Sequence, residues 1–195
     1  FVYSNAGYGV AAAMAEQVSG VSWEEMMRHR LFDPLDIHGG LGWPATSDST
    51  QPWGHRDRRG ALQPHDPNGP YSLGSLIAPA GDVHMSMPDY GRFLQLHLRG
   101  LRGEETTLLS SSTIQYMHKS QGSMTDHAEL PGYGLGWGVQ DIAGERSSGH
   151  AGSLGSFKAR AAIQPSRDIA VAVVANAGGD EADAATIALR AALLE

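Results

Sequence analysis

The chain contains no cysteine in 195 residues. Disulfides, thiolate nucleophiles and cysteine-ligated zinc are therefore excluded, while the compartment stays open, because a cysteine-free chain folds equally well in oxidising and reducing surroundings. Lysine is nearly as scarce. Only Lys119 and Lys158 occur, and the residues three places before them are Tyr116 and Gly155. No Ser-x-x-Lys exists, so the turn that sets a nucleophilic hydroxyl one helical turn from an amine is missing from these residues. No stretch approaches the roughly 20 consecutive apolar residues of a membrane span, and no signal peptide is visible. Basic residues cluster only at Arg56, Arg58 and Arg59, read as a solvated loop, in a chain of net charge -7. Phosphate recognition needs a stripe of cations that displaces counterions, so nucleic acid is not an expected partner. Nine histidines occur without an H-E-x-x-H or similar ligand spacing, so no metal and no cofactor is expected.

What remains is the composition of one ordinary domain, 41% hydrophobic and long enough to bury a sizeable core. Ala6, Val10, Met14 and Val18 recur at four-residue spacing and predict a helix closed by Gly20. Ser22 with Glu25 forms a capping box for a second helix, which should end before Pro34. Residues 39 to 79 are rich in turn formers, including Pro67-Asn68-Gly69-Pro70, and predict long loops with at most short strands. A helix follows Ser86, with Tyr90, Phe93, Leu94, Leu98 and Leu101 on its buried side and Gly100 as its stop; a shorter one covers Ser112 to His118.

After residue 130 the period changes from helical to alternating. Tyr133, Leu135, Trp137 and Val139 oppose Gly134, Gly136 and Gly138, a strand with one bulky and one bare face. Phe157 to Gln164 alternates again, Pro165 to Asp168 makes a turn, and Ile169 to Ala175, apolar on both faces, reads as a central covered strand. A last helix, Asp180 to Leu194, should lay Ile187, Ala191 and Leu194 on the sheet. The chain thus divides into a helical, loop-rich part, 1–130, and antiparallel strands with a C-terminal helix, 131–195, together one α+β domain.

Two short motifs carry chemistry. Tyr3-Ser4-Asn5 stands at a helix mouth, where a phenol can relay a proton and an amide can orient a substrate; a packed ring and a helix cap fit the same residues. His150-Ala151-Gly152-Ser153 precedes two strand-like runs. Gly152 allows close backbone approach, the Ser153 N–H suits an oxyanion donor, and His150 titrates near neutrality; a hydrogen-bonded surface histidine is the plainer reading. Ala151-Gly152-Ser153-Leu154-Gly155 also spells a variant nucleophile elbow, but that elbow needs a helix after its serine, where alternation here predicts a strand. The glycines 132, 134, 136 and 138 match neither nucleotide-binding pattern.

Tyr3 to Tyr8, Val18-Ser19-Gly20, Leu31 to Leu35, Pro79-Ala80-Gly81, Gly132 to Trp137 and His150-Ala151-Gly152 occur in an order that resembles the serine β-lactamase and penicillin-binding-protein-like family, near class C β-lactamases, DD-peptidases and family VIII esterases. The resemblance implies the α/β sandwich of that fold, incomplete at its N-terminus, and an acyl-enzyme mechanism. It makes Tyr3 the proton relay and Asn5 the ligand of the acyl-side amide. It puts His150 where lysine is more usual, with Gly152 and Ser153 beside the substrate and the Ser153 N–H as half of the oxyanion hole. His-Ala-Gly in place of Lys-Thr-Gly removes a charge and a hydroxyl that hold a substrate carboxylate, which favours an ester, amide or peptide over a penicillin. The chain is then expected to be the C-terminal part of a serine hydrolase, partnered by the N-terminal part of the same protein and inactive alone; the start at Phe1 rather than Met fits that expectation. Relatives often work in the periplasm or outside the cell. The alternative is a non-catalytic binding or regulatory relative.

Overall fold

A computed structural model describes residues 2–69, 72–122, 132–142 and 144–195. Pro70 of the Pro67–Pro70 turn and the division read at residue 130 lie outside them.

Helix α1 (Asn5–Ser19) starts at Ser4, whose hydroxyl accepts from the Gly7 N–H at 3.1 Å. It closes at Gly20, whose φ of 74° is the left-handed conformation that favours glycine. The predicted stripe exists but points outward: Val10, Met14 and Val18 are 56%, 65% and 90% exposed. The buried residue of α1 is Gly9, where a Cβ would collide with the Leu76 carbonyl. Helix α2 (Trp23–Met27) has the predicted capping box, Ser22 Oγ accepting from the Glu25 N–H at 3.2 Å and the Glu25 carboxylate from the Ser22 N–H at 3.1 Å. It does not end before Pro34. A π-helical turn, Arg28–Phe32, carries the coil into α3 (Asp33–Leu35). The wider turn gives the Asp33 N–H the Arg28 carbonyl and leaves Pro34 in a first turn, where its missing N–H costs nothing.

The loop-rich stretch holds β1 (Gly40–Leu41), α4 (Pro44–Ser47), the hairpin of β2 (His55–Arg58) and β3 (Ala61–Pro64), and β4 (Val83–His84), which pairs with β1. Arg56 and Arg58 therefore sit on a strand, and Arg59 in its turn, rather than in a loose loop. Helix α5 (Met87–Leu101) is capped by Ser86, and its predicted side forms the core: Leu94 and Leu98 pack with Trp137, Ala161 and Ile163, flanked by Tyr90, Phe93 and Leu101. Gly100 does not stop α5. It is buried in the last turn because a Cβ would run into Ile114 of α6 (Ser111–Met117).

The main sheet is antiparallel in the order β5 (Gly132–Tyr133), β6 (Gly138–Ile142), β7 (Glu145–Ser153), β8 (Lys158–Gln164), β9 (Ile169–Ala175). The alternating run after residue 132 is thus two strands, parted where Gly136 takes a φ of 82° and the Gly134 N–H bonds the Trp137 carbonyl at 2.7 Å. β9 has α5 and α7 (Asp180–Leu193) packed against it, yet among the described residues it is the end strand, not a central one, and Val174 is 46% exposed. Between α5 and β9 runs a groove of about 600 Å³ lined by Met87, Leu94, Leu98, Ile169, Ala170 and Ala172 among others. α7 lies over β8 and β9 rotated from expectation. Its buried residue is Thr186, while Ile187 and Ala191 are exposed; Leu194, just past its last turn, is buried as expected. Arg160 on β8 determines this rotation, bonding Asp183 at 2.7 Å and Thr186 at 3.2 Å.

Candidate active site

β6 accompanies β7 only as far as the Gly138–Gly149 pair. From His150 to Ser153, β7 keeps β8 on one side, with His150 opposite Ala161 and Ser153 opposite Lys158, and among the described residues no strand lies on the other. The Gly134–Trp137 turn draws the chain away and leaves this notch. Two elements fill its inner end, the mouth of α1 and the two-residue strand β5.

Tyr3 and His150, 147 positions apart in sequence, meet there with ring centroids 6.4 Å apart. Tyr133 completes a triangle with them: its ring meets Tyr3 edge-on at 6.0 Å and its hydroxyl lies 3.0 Å from His150 Nε2. Tyr8, one turn into α1, hydrogen-bonds the Tyr133 side chain as well. Tyr133 is 2% exposed. Burial pushes its phenol far above the usual range, with the Tyr8 hydrogen bond and the neighbouring phenols adding to the effect. Tyr3, half-buried, is raised by the same burial and by Tyr8. His150 goes the other way: burial disfavours the imidazolium, against a smaller opposing effect of a hydrogen bond to the Ala151 backbone. At neutral pH the inner end of the notch therefore presents protonated phenols and a neutral imidazole, polar but without formal charge.

Of the other residues singled out in sequence, Asn5 is exposed as the first residue of α1. Gly152 is exposed on β7, and a Cβ there would meet nothing within 4 Å, so the face of the strand at this point is open. Ser153 follows it, and its hydroxyl accepts from the Gly155 N–H at 3.1 Å in the turn to β8. That turn joins two strands, so the elbow reading of Ser153 fails for want of a helix. Tyr133 and Tyr8 lie in motifs read from the sequence, but neither carried a role there. In a run where Leu135 and Trp137 share its period, nothing distinguishes a phenol used for its hydroxyl from one used for its ring. No group of three or more metal-ligating side chains occurs among the described residues, and no described helix is long and apolar enough to cross a membrane.

Residues 1–195, the whole chain, match the family model described as Beta-lactamase. The chain belongs to the beta-lactamase family. This beta-lactamase-family chain is 26% identical over 184 residues to penicillin-binding protein 4 of Amycolatopsis lactamdurans, an alignment covering 90% of the chain and 47% of that protein. It is 29% identical over 142 residues to a beta-lactamase of Escherichia coli K12, covering 72% and 34% respectively. Its fold matches the octameric penicillin-binding protein homologue from Pyrococcus abyssi with a TM-score of 0.81 at 25% identity, over 100% of this chain and 42% of that one. The beta-lactamase-family chain thus spans half or less of the length of these relatives.

Proposed function

We propose that this chain is the relay-bearing part of a serine hydrolase that works through an acyl-enzyme on an ester, amide, D-amino peptide or lactam, its Ser-x-x-Lys nucleophile being supplied by the N-terminal part of the same protein. The observation that carries the reading is the convergence of Tyr3, Tyr133 and His150 at the inner end of an open strand edge. A nucleophilic hydroxyl brought against Tyr3 would give its proton to the phenol oxygen as the phenol gives its own proton to the leaving group. Tyr3 is protonated at neutral pH, since partial burial and Tyr8 raise a phenol that ordinarily titrates near 10, so its role is to hand on one proton as it takes another, not to wait as a phenolate. The Ser153 N–H, at the open end of β7, is the oxyanion donor of this scheme, a kind of contact worth about 2.7 to 4 kcal/mol of barrier. Asn5 and Gly152 flank the acyl side. A neutral His150 offers no charge to a substrate carboxylate, which favours neutral acyl groups over penicillins.

The end position of β9 and the groove beside it, lined by Leu94, Leu98 and Ile169 together with Arg92, Gln95 and Asp168, support a second segment completing the sheet, because a long strand edge is a pairing site. One observation favours a non-catalytic binding or regulatory role instead: no Ser-x-x-Lys occurs in these 195 residues. The two readings separate in one experiment. The full-length gene product and the 195-residue chain are treated with a fluorophosphonate and a fluorescent penicillin. Labelling of the longer protein alone is the expected result. Labelling of neither supports the binding role, and labelling of the chain by itself refutes the division of labour.

A further inference from the structure

We propose that Tyr133 is a positioning residue of this site: its hydroxyl, fastened to Tyr8 and 3.0 Å from His150 Nε2, fixes the tautomer and orientation of the imidazole beside Tyr3. The kinetic consequence rests on the acyl-transfer reading; the structural one does not.

The imidazole is held from two directions. One is the backbone of Ala151, whose hydrogen bond favours the protonated ring; that is the sense of a ring N–H donated to a carbonyl, and a carbonyl only accepts. Nε2 faces the Tyr133 hydroxyl at 3.0 Å, and which of the two donates follows from the tautomer of the ring. Among the described residues, the titratable rings beside it are Tyr3 from the mouth of α1 and Tyr133 from β5, with Tyr8 bonded to Tyr133 in turn. β8 presents Ala161 to it, while Lys158 and Arg160, the cations on that strand, turn to the other face and engage Asp183 at 3.0 and 2.7 Å. Tyr133 is itself immobilised. β5 ends beside the Gly134–Trp137 turn, Tyr8 holds its hydroxyl, and Tyr3 closes over its ring edge. A side chain this buried and this tethered transmits its geometry to whatever it touches.

The unconstrained alternative is a ring free to exchange tautomers and to take up a proton near pH 6.5. The test uses the full-length gene product labelled with 15N-histidine, its His150 signal identified by loss in His150→Gln. Expected for the unmodified protein is a single tautomer that resists protonation below pH 6.5. In Tyr133→Phe the ring should become a tautomer mixture and titrate nearer 6.5. An identical tautomer and titration in both proteins overturns the proposal. If Tyr133→Phe does not fold, Tyr8→Phe loosens the same hydroxyl one step away, and an unaltered His150 signal there overturns it equally. On an ester that the full-length protein turns over, Tyr133→Phe should lower kcat about five- to ten-fold, the size of one neutral hydrogen bond, with KM little changed; an unaltered kcat refutes a positioning role. Absence of turnover on every acyl substrate would count against the hydrolase reading, and the nitrogen signal would still decide the role of Tyr133.

Discussion

Acid should unfold this protein through two histidines that lie outside the candidate site. His97 on α5 and His118 at the end of α6 are 2% and 4% exposed, and His97 Nδ1 lies 2.9 Å from His118 Nε2. Trp137 stacks on His118 at 4.4 Å and Phe93 meets His97 edge-on at 4.7 Å. Burial pushes His97 down to about 4; burial and the neighbouring His97 push His118 down to about 3. Both depressed values mean that the folded protein holds the rings neutral where the unfolded chain, titrating near 6.5, has already bound protons. The stabilisation is therefore complete above pH 6.5 and is lost as pH falls from there toward 4. For His97 alone the gap between 6.5 and about 4, at about 1.36 kcal/mol per pH unit, amounts to roughly 3 kcal/mol. A second neutral ring at bonding distance raises the dependence toward two protons between about pH 5.5 and pH 4.5. Against a typical total of 5 to 15 kcal/mol that is a large fraction. Urea titrations of the full-length protein at pH 7, 6, 5.5 and 5 give the slope directly, in a window above the range of ordinary carboxylates. His118→Gln, whose amide can still bond His97 but does not titrate, should lower that slope by about one proton. An unaltered slope in His118→Gln, or equal stability at pH 7 and pH 5 in the parent, would refute the reasoning.

Two further outcomes are expected. Tyr3→Phe in the full-length enzyme should lower turnover by about 10²-fold or more, the low end of what a lost proton relay costs; steady-state kinetics that stay near those of the parent remove Tyr3 from the mechanism. Gly149→Ala would place a Cβ 2.5 Å from the Ala161 backbone oxygen, a neighbour that cannot rotate away, so the β7–β8 pairing should loosen at a cost of about 1 to 3 kcal/mol by urea denaturation; an unchanged midpoint contradicts the close approach.

Much of the helical part was legible because its signals are local. Ser22 with Glu25, Ser86 ahead of Pro88 and Asp89, and Gly20 in the left-handed conformation act within one turn of chain, and a reader of sequence needs nothing else to place them. β7 was not legible. Glu145 to Ser153 is small and polar, with no alternation of apolar residues, and it is a strand because β6 and β8 pair with it on either side. The apolar character of β9 spoke of covered faces, which α5 and α7 provide, but hydropathy carries no information about lateral neighbours. α7 misled for a different reason. Counting apolar residues put Ile187 and Ala191 inward, whereas the Arg160–Asp183 ion pair on β8 rotated the helix onto Thr186. At the candidate site, Tyr3 and His150 could be paired through the order of their motifs; Tyr133 could not, since its hydroxyl matters only through a tertiary contact.

That contact depends on packing some distance from the site. β5 is two residues long and cannot by ladder bonds alone hold a phenol in place. The turn that follows it is held on both sides by the end of α6: the Leu135 N–H bonds the Met117 carbonyl at 2.7 Å, and Trp137 stacks on His118, the next residue. Gly134 is required at this point, because a Cβ would collide with the same Met117 carbonyl. The buried histidine pair thus braces the turn whose other end carries Tyr133 to His150. Protons that unsettle His97 and His118 act on the same hairpin that carries Tyr133 to the imidazole, so any acyl-transfer activity of the full-length protein and the packing of Trp137 should be lost over the same pH interval.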